Sequence, residues 1–227
     1  MRIRAGFASV VSERDPVIQR VLLAVLCGTI ALHSLHAAGK GTPPSVAFGR
    51  SGVTVAGLKP GTRLAWLGMI REPRKHRSAT RIVRGFAPAT PGSSFSIDYE
   101  NADTSRSLWV VADVDNGSAV QAKPAASIVS QHAIPIQAVA GKSAITVGSS
   151  AVEVLYVRPH GGAWTFSVAD GGGRDGDRLQ NGTIVVPLAS LTALKGNPHP
   201  PSTVESGDLV LVLDPDLMRS AAVEVQP

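Results

Sequence analysis

The sequence is short of cysteine, of aromatic residues and of long apolar runs. Its single cysteine, Cys27, rules out a disulfide framework within the chain, so an apolar core or bound ions must hold the fold together. Phe, Trp and Tyr make up 4% of the 227 residues. No run reaches the roughly 20 apolar residues that a membrane-spanning helix requires. We therefore expect neither a disulfide-rich scaffold nor a stable membrane span.

The amino-terminal segment has the pattern of a secretory signal peptide. Four arginines within the first 20 residues precede the apolar run VLLAVLCGTIAL (21–32), which HSLHAAG follows. This pattern predicts a signal peptide over residues 1–38, cleaved after Ala37 or Ala38. An uncleaved signal anchor and a lipoprotein attached at Cys27 are the alternatives. Cleavage would remove four arginines and two acidic residues, which leaves +3 of the formal net charge of +5. The expected location is exported, either periplasmic or extracellular.

Short apolar runs bounded by Gly, Pro, Asp or Asn recur through the rest of the chain and predict β-strands. In FSIDY (95–99) and WTFSV (164–168), apolar residues alternate with polar ones, which is typical of a strand with one buried face. RLAWLGMI, SLWVVADV, VEVLYV, TIVVPL and DLVLVLD are apolar almost throughout and predict interior strands. Only PLASLTALKG (187–196) has leucines spaced for one or two helical turns. The predicted fold class is all-β, with antiparallel sheets.

Two of the apolar runs indicate an internal duplication. LWVVADVD at residues 108–115 aligns without gaps to LVLVLDPD at residues 209–216, and the two share a Leu, a Val and both aspartates. Between the halves, KPAASIVSQHAIP is rich in Pro, Ala and Ser and lacks the strand pattern. We therefore predict two small β-sandwich modules at residues 44–123 and 136–227, joined by a linker at residues 124–135.

The segment VTVAGLKPGTRLAWLG (53–68) resembles the early strands of bacterial Ig-like or fibronectin type III-like modules, in which a Gly-x-x-Pro-Gly turn joins two antiparallel strands. The two-part layout is also similar to that of exported bacterial proteins. The resemblance implies Ig-like sandwiches that serve mainly as spacers or binding modules, although a fold does not fix a function. It implies no catalytic residue and no cofactor.

The residue types used in catalysis form no local motif. The sequence contains neither a Gly-x-Ser-x-Gly elbow nor a complete Gly-x4-Gly-Lys-Ser/Thr phosphate loop. The histidines that follow the leader are His76, His132, His160 and His199. His160, in RPHGGAW, stands out because the glycines beside it allow a ligand to come close. The interpretation that we favour is nevertheless an exposed hairpin histidine, and a ligand contact is the alternative. We expect a protein that is not an enzyme, with an envelope hydrolase as the alternative.

The densest positive charge lies in REPRKHRSATRIVR (71–84), where six cations face a single glutamate. The cations are Arg71, Arg74, Lys75, Arg77, Arg81 and Arg84. Such a cluster gains affinity for a polyanion by releasing counterions. In an exported protein the expected partner is an anionic envelope polymer rather than nucleic acid, because the stretch has no aromatic residue to stack on bases. The interpretation that we favour is a solvated hairpin, and polyanion binding is the alternative.

A glycine-rich acidic segment, DGGGRDGDRLQNG (170–182), connects the predicted strands WTFSV and TIVVPL. Its candidate calcium ligands are Asp170, Asp175, Asp177 and Asn181. The spacing departs from that of the EF-hand, and two arginines within the segment reduce its negative field. Clusters of Asp and Gly are also common in ordinary turns. We therefore expect a solvated loop without a cofactor, and a calcium-stabilised adhesion module is the alternative.

The leader, the strand pattern and the lack of a catalytic motif together predict an exported, non-catalytic binding or structural module of the periplasm or cell surface. The sequence does not specify its ligand.

Overall fold

The structure is a computed structural model that describes residues 33–34, 42–49, 52–72, 79–99, 103–125, 127, 130, 132–149, 152–168 and 182–227. These residues form antiparallel sheets, which confirms the predicted all-β fold class. Their one helical element is a 3-10 turn at Leu188–Ser190, so none of their helices has the length and apolar character needed to span a membrane. Except for His33–Ser34, the leader lies outside the described residues, and its cleavage stays a prediction.

Strands β1 to β8 precede the predicted linker. They are β1 (His33–Ser34), β2 (Ser45–Phe48), β3 (Gly52–Ala56), β4 (Leu64–Glu72), β5 (Ala79–Ala87), β6 (Ser94–Asp98), β7 (Asp103–Asp113) and β8 (Ser118–Ala122). Strands β9 to β16 follow it. They are β9 (Ile136–Gln137), β10 (Ala144–Val147), β11 (Glu153–Arg158), β12 (Gly162–Ser167), β13 (Ile184–Pro187), β14 (Thr192–Gly196), β15 (Leu209–Asp214) and β16 (Arg219–Glu224). Each of the seven runs that the sequence analysis predicts to be a strand contains one.

The strands of each half form one three-stranded and one five-stranded sheet. In the first half the orders are β2-β3-β6 and β1-β8-β7-β4-β5, which we call outer sheet 1 and inner sheet 1. In the second half they are β9-β10-β13 and β16-β15-β11-β12-β14, which we call outer sheet 2 and inner sheet 2. Without β1 and β14, the two halves have the same strand order. We refer to them as the first and second modules; the exact boundaries at 44–123, 124–135 and 136–227 stay predictions.

Three apolar layers separate the four sheets. One lies between outer and inner sheet 1, and includes Val53, Ile97 and Trp109. A second lies between inner and outer sheet 2, and includes Ile145 and Trp164. The third layer joins the two inner sheets face to face, and we call it the central layer. Its fully buried members include Leu67, Leu108, Val110, Leu155, Leu209, Leu211 and Leu213. The modules are therefore joined by a shared core as well as by the linker.

The central layer explains why several strands are apolar almost throughout. In β15, Leu209, Leu211 and Leu213 face the central layer, whereas Val210 and Val212 face outer sheet 2. Because both faces of the strand are covered, neither set of alternating positions needs to be polar. Strands β4, β7 and β11 follow the same rule, while β12 keeps the predicted alternation, with Trp164 and Phe166 inside its module.

The two segments of the suggested duplication occupy equivalent strands. LWVVADVD forms the end of β7, between β8 and β4, and LVLVLDPD forms β15, between β16 and β11. Each strand ends at a buried aspartate, Asp113 or Asp214, whose Oδ1 accepts two backbone N–H groups of the following turn. Both turns end in a left-handed residue, Gly117 (φ 61°) and Met218 (φ 50°).

The segment at residues 187–196 differs from its prediction. Only Leu188–Ser190 is helical, as a single 3-10 turn, and Thr192–Gly196 is strand β14. Residues of β14 pair with the outer edge of β12, from Thr192 opposite Thr165 to Gly196 opposite Gly162. Pairing with an available sheet edge overrides the weak helical spacing of the leucines.

Candidate functional site

A cleft of about 550 Å³ opens where loops of the two modules meet. The first module contributes Arg63, from the β3–β4 connection, and the β7–β8 turn at residues 114–117. The second module contributes the β11–β12 turn with Pro159 and His160, the segment before β15, and the residues from Glu224 onward. We call this the junction cleft. Its walls are mainly polar, and neither module could form it alone.

Arg63 lines the junction cleft and forms hydrogen bonds to residues of both modules. Its backbone N–H donates to Asp115 Oδ2 over 2.8 Å, and its Nε donates to Asp115 Oδ1 over 2.5 Å. Its Nη2 also lies against the same carboxylate. Its Nη1 reaches the second module, where it donates to the carbonyl oxygen of Pro159 and to His160 Nδ1, the latter over 3.0 Å. Each terminal nitrogen of this guanidinium therefore already has a partner.

His160 is the histidine that the sequence analysis singled out, and it lies at the exposed tip of the β11–β12 turn. An arginine can only donate hydrogen bonds, so His160 Nδ1 must be the acceptor and carries no proton in this contact. The contact is therefore a hydrogen bond only in the form of the imidazole whose Nδ1 carries no proton. Its hydrogen-bonding partner is an arginine rather than a hydroxyl nucleophile.

Glu224, the last residue of β16, also lines the junction cleft. A Cβ placed on Gly117 would lie 2.5 Å from Glu224 Oε2, so the carboxylate rests against a position that only glycine leaves open. The left-handed φ of Gly117 also favours glycine. Glu224 is half-buried, and among the described residues its carboxylate has neither a hydrogen bond nor an ion pair.

A buried ionic network fixes the segment of the cleft that contains Ser206 and Gly207. Arg158 donates through Nε and Nη2 to the buried carboxylate of Asp208, and through Nη2 to the carbonyl oxygen of Thr203. Asp208 also accepts hydrogen bonds from the Tyr156 hydroxyl and from the backbone N–H of Glu205. Burial, followed by the hydrogen bond to Asp208, raises the pKa of Tyr156. The hydrogen bond to Asp208 raises the pKa of Arg158. Both groups keep their protons at any physiological pH, so both remain hydrogen-bond donors to Asp208.

Two further polar contacts cross between the modules beside the central layer. Arg84 Nη1 lies 3.3 Å from Glu153 Oε2, and Ser167 Oγ donates to Glu153 Oε1 over 2.7 Å. Gln121 Nε2 donates to Ser220 Oγ over 2.8 Å. Glu153 is almost fully buried, so its pairing satisfies a charge that would otherwise be costly inside the fold.

The candidate polyanion-binding residues are only partly described. Arg81 and Arg84 lie three positions apart on β5, so they project from opposite faces of the strand. The guanidinium of Arg81 lies 5.9 Å from the ring centroid of Tyr99, whereas Arg84 faces the second module and pairs with Glu153. Arg71 belongs to β4, and Arg74, Lys75 and Arg77 lie outside the described residues. Polyanion binding therefore stays a prediction. Of its candidate residues, Arg84 already pairs with Glu153.

The candidate calcium ligands Asp170, Asp175, Asp177 and Asn181 all lie outside the described residues, so calcium binding also stays a prediction. Within the described part of the chain, no group of three or more His, Cys, Asp or Glu residues is arranged to hold a metal ion.

The sequence analysis did not select Arg63, Asp115 or Glu224. Arg63 and His160 are 97 positions apart in the chain, and no local spacing relates them. One available signal was the Asp-Val-Asp-Asn-Gly turn at residues 113–117, whose Asx and glycine chemistry is that of a tight, ordered loop. In comparisons with known proteins, the chain matches no protein-family model, and no curated protein is significantly similar to it.

Proposed function

We propose that this protein is an exported, non-catalytic binding or structural module of the periplasm or cell surface. The observation that carries the proposal is the central layer, because it unites two sandwiches into one body and brings loops of both to the junction cleft. A shared core suits a protein that holds a fixed shape between partners or presents a preformed surface to a ligand.

The strand order supports the proposed kinship with Ig-like or fibronectin type III-like modules. When β1 and β14 are left out, each module has three strands facing four, and its first, second and fifth strands form the outer sheet. This Greek-key arrangement recurs among sandwiches that serve as spacers and binding modules. The basic hairpin at residues 71–84 remains our candidate surface for an anionic envelope polymer.

The contacts of His160 favour binding over hydrolysis. A hydrolytic histidine needs a nucleophile within hydrogen-bonding reach and a group that orients its second nitrogen. In the described structure, His160 Nδ1 instead accepts from Arg63, and Arg63 is held in turn by Asp115. We infer that these contacts join the two modules and do not form a proton relay.

Export is tested by the amino terminus of the native protein. We expect a periplasmic or extracellular fraction to yield a protein beginning at residue 38 or 39, because the leader has the charge and apolar run of a cleaved signal peptide. A variant with Leu23→Arg and Val25→Arg should remain uncleaved and inside the cell. Recovery of the native protein from cytosol with Met1 in place would contradict the proposal.

A further inference from the structure

We infer that the junction cleft binds a ligand through a primary ammonium or guanidinium group, with the Glu224 carboxylate as its counter-ion. This inference rests on the binding side of the proposed function. It follows from which charged groups in the cleft already have partners and which one does not.

The cleft's own cation has most of its capacity committed, because four of its five N–H donors already have partners within the protein. Of the described residues lining the cleft, Arg63 alone carries a permanent positive charge. Its Nε and Nη2 are committed to Asp115, and its Nη1 to Pro159 and His160. An anionic ligand would have to break several of these hydrogen bonds before it gained a bidentate partner. The cleft is therefore poorly suited to anions, although it contains an arginine.

The carboxylates outnumber that cation. The side chains of Asp115 and Glu224 contribute two negative charges against the single permanent positive charge of Arg63. Asp115 is compensated by Arg63 directly, so the uncompensated charge resides on Glu224. Half-burial makes an unpaired carboxylate costly, and a ligand cation would offset that cost.

Other residues that line the junction cleft supply further acceptors for such a group. The side chain of Glu224 lies against Gly117, next to Asn116. Asn116 Nδ2 donates to Asp113 Oδ2 over 2.6 Å, so the amide oxygen of Asn116 is left as the acceptor on this wall. Ser206 adds a hydroxyl at the rim. A carboxylate, an amide oxygen and a hydroxyl together match the three donors of an ammonium group.

The probes for the test differ only in the group that we propose is recognised. Nα-acetyl-lysine amide carries the ammonium, Nα-acetyl-norleucine amide is its uncharged counterpart, and Nα-acetyl-glutamate amide is its anionic counterpart. Each is titrated into the purified ¹⁵N-labelled protein, and amide shifts are followed by NMR. We expect the lysine amide to shift residues 114–117 and 224–226, with an affinity in the millimolar range that falls as salt rises. The norleucine amide should bind at least fivefold more weakly.

Two variants and a control place the charge at Glu224. Glu224→Gln keeps the shape and should weaken lysine-amide binding at least fivefold. Ser206→Asp adds a carboxylate at the exposed rim and should strengthen it about threefold. Asp216→Asn removes an exposed carboxylate from the equivalent turn of the second module, outside the cleft, and should change nothing. Thermal melting of each variant identifies any loss of fold, and Ser206→Asp keeps the test decisive if Glu224→Gln is unstable.

The outcomes separate this inference from the proposed function. Binding of the glutamate amide or the norleucine amide to the same residues, equal to that of the lysine amide, would overturn the cation site and leave a binding role standing. Lysine-amide binding unaffected by Glu224→Gln, or no binding of any probe at 20-fold the expected dissociation constant, would also overturn it. A spermidine titration distinguishes the two sources of such a cation, a free polyamine and a basic side chain of a peptide. If spermidine binds more tightly than the lysine amide and this binding is lost in Glu224→Gln, the ligand is a free polyamine. If spermidine binds more weakly, the ligand is a basic peptide side chain.

Discussion

Truncation of Leu211 in the central layer should destabilise both modules together. Leu211 is 0% exposed, lies in the middle of β15, and pairs in register with Leu155 on β11 and Ala222 on β16. Its side chain faces the strands of inner sheet 1. A Leu→Ala substitution in a close-packed core costs about 2–5 kcal/mol, because it loses buried apolar surface and leaves a cavity. In one cooperative body of this size, each kcal/mol lowers the melting temperature by about 2–4 °C. We therefore expect a decrease of roughly 5–20 °C.

The assay must show whether the loss reaches the first module. In differential scanning calorimetry a single cooperative unit gives equal calorimetric and van't Hoff enthalpies, whereas two independent modules give a ratio near two. Hydrogen exchange adds location: Leu211→Ala should accelerate exchange in β7 as well as in β15, because both strands border the central layer. Leu217→Ala is the matched control, since Leu217 is 56% exposed and its truncation should cost less than about 0.5 kcal/mol.

The refuting result is a destabilisation confined to the second module. If Leu211→Ala lowers one of two calorimetric transitions and leaves exchange in β7 unchanged, the modules are joined only by their linker, and the central layer contributes little to either. The proposal that the shared core holds the junction cleft in shape would then fail with it.

Two further predictions concern calcium binding and the protonation of a buried aspartate. Replacing Asp175 and Asp177 by alanine should change the free energy of unfolding by less than about 0.5 kcal/mol, because we expect a solvated loop. A calcium-dependent rise in melting temperature above about 5 °C that disappears in the double variant would instead show a calcium site. At the end of β15, burial works to raise the pKa of Asp214, but hydrogen bonds from Ser149, Arg219 and the Leu217 N–H outweigh it and hold the pKa below its ordinary value. A lowered pKa stabilises the fold above the unfolded pKa of about 3.9 and loses that contribution as pH falls through the folded pKa. Denaturant melts between pH 5 and 2 should therefore show a steeper loss of stability for the native protein than for Asp214→Asn, and equal slopes would contradict the assignment.

The sequence predicted the strands well because their signal is local. SLWVVADV and DLVLVLD are short, apolar and bounded by turn residues, and both are strands. What such runs could not reveal is which neighbour covers each face. A strand buried on both sides can lie at the centre of one sandwich or between two, and the residues are equally apolar in either case. The central layer could therefore be identified only from the arrangement of the sheets in the structure.

The candidate site was predictable only in part, because its residues come from distant loops. His160 was selected for the glycines beside it, yet its partner Arg63 belongs to the other module. Glu224 looks like any polar residue at the end of a strand, and the space that its carboxylate occupies depends on Gly117, which lies more than 100 positions earlier. In the basic hairpin, the density of positive charge was evident from the sequence, but the direction of the side chains was not. The alternation of β5 places Arg81 and Arg84 on opposite faces of the strand.

The two equivalent turns differ in what fills the space beside their left-handed residue. Both turns place a left-handed residue at the same position after the buried aspartate, so the backbone requirement is shared. In the second module that residue is Met218, and its side chain packs against the central layer. In the first module it is Gly117, and the space that a side chain would fill is occupied by the Glu224 carboxylate. A methionine in a left-handed conformation is strained, and its packing offsets that strain. The same backbone turn thus supports the core in the second module, whereas in the first module it leaves room for the carboxylate of Glu224 in the junction cleft.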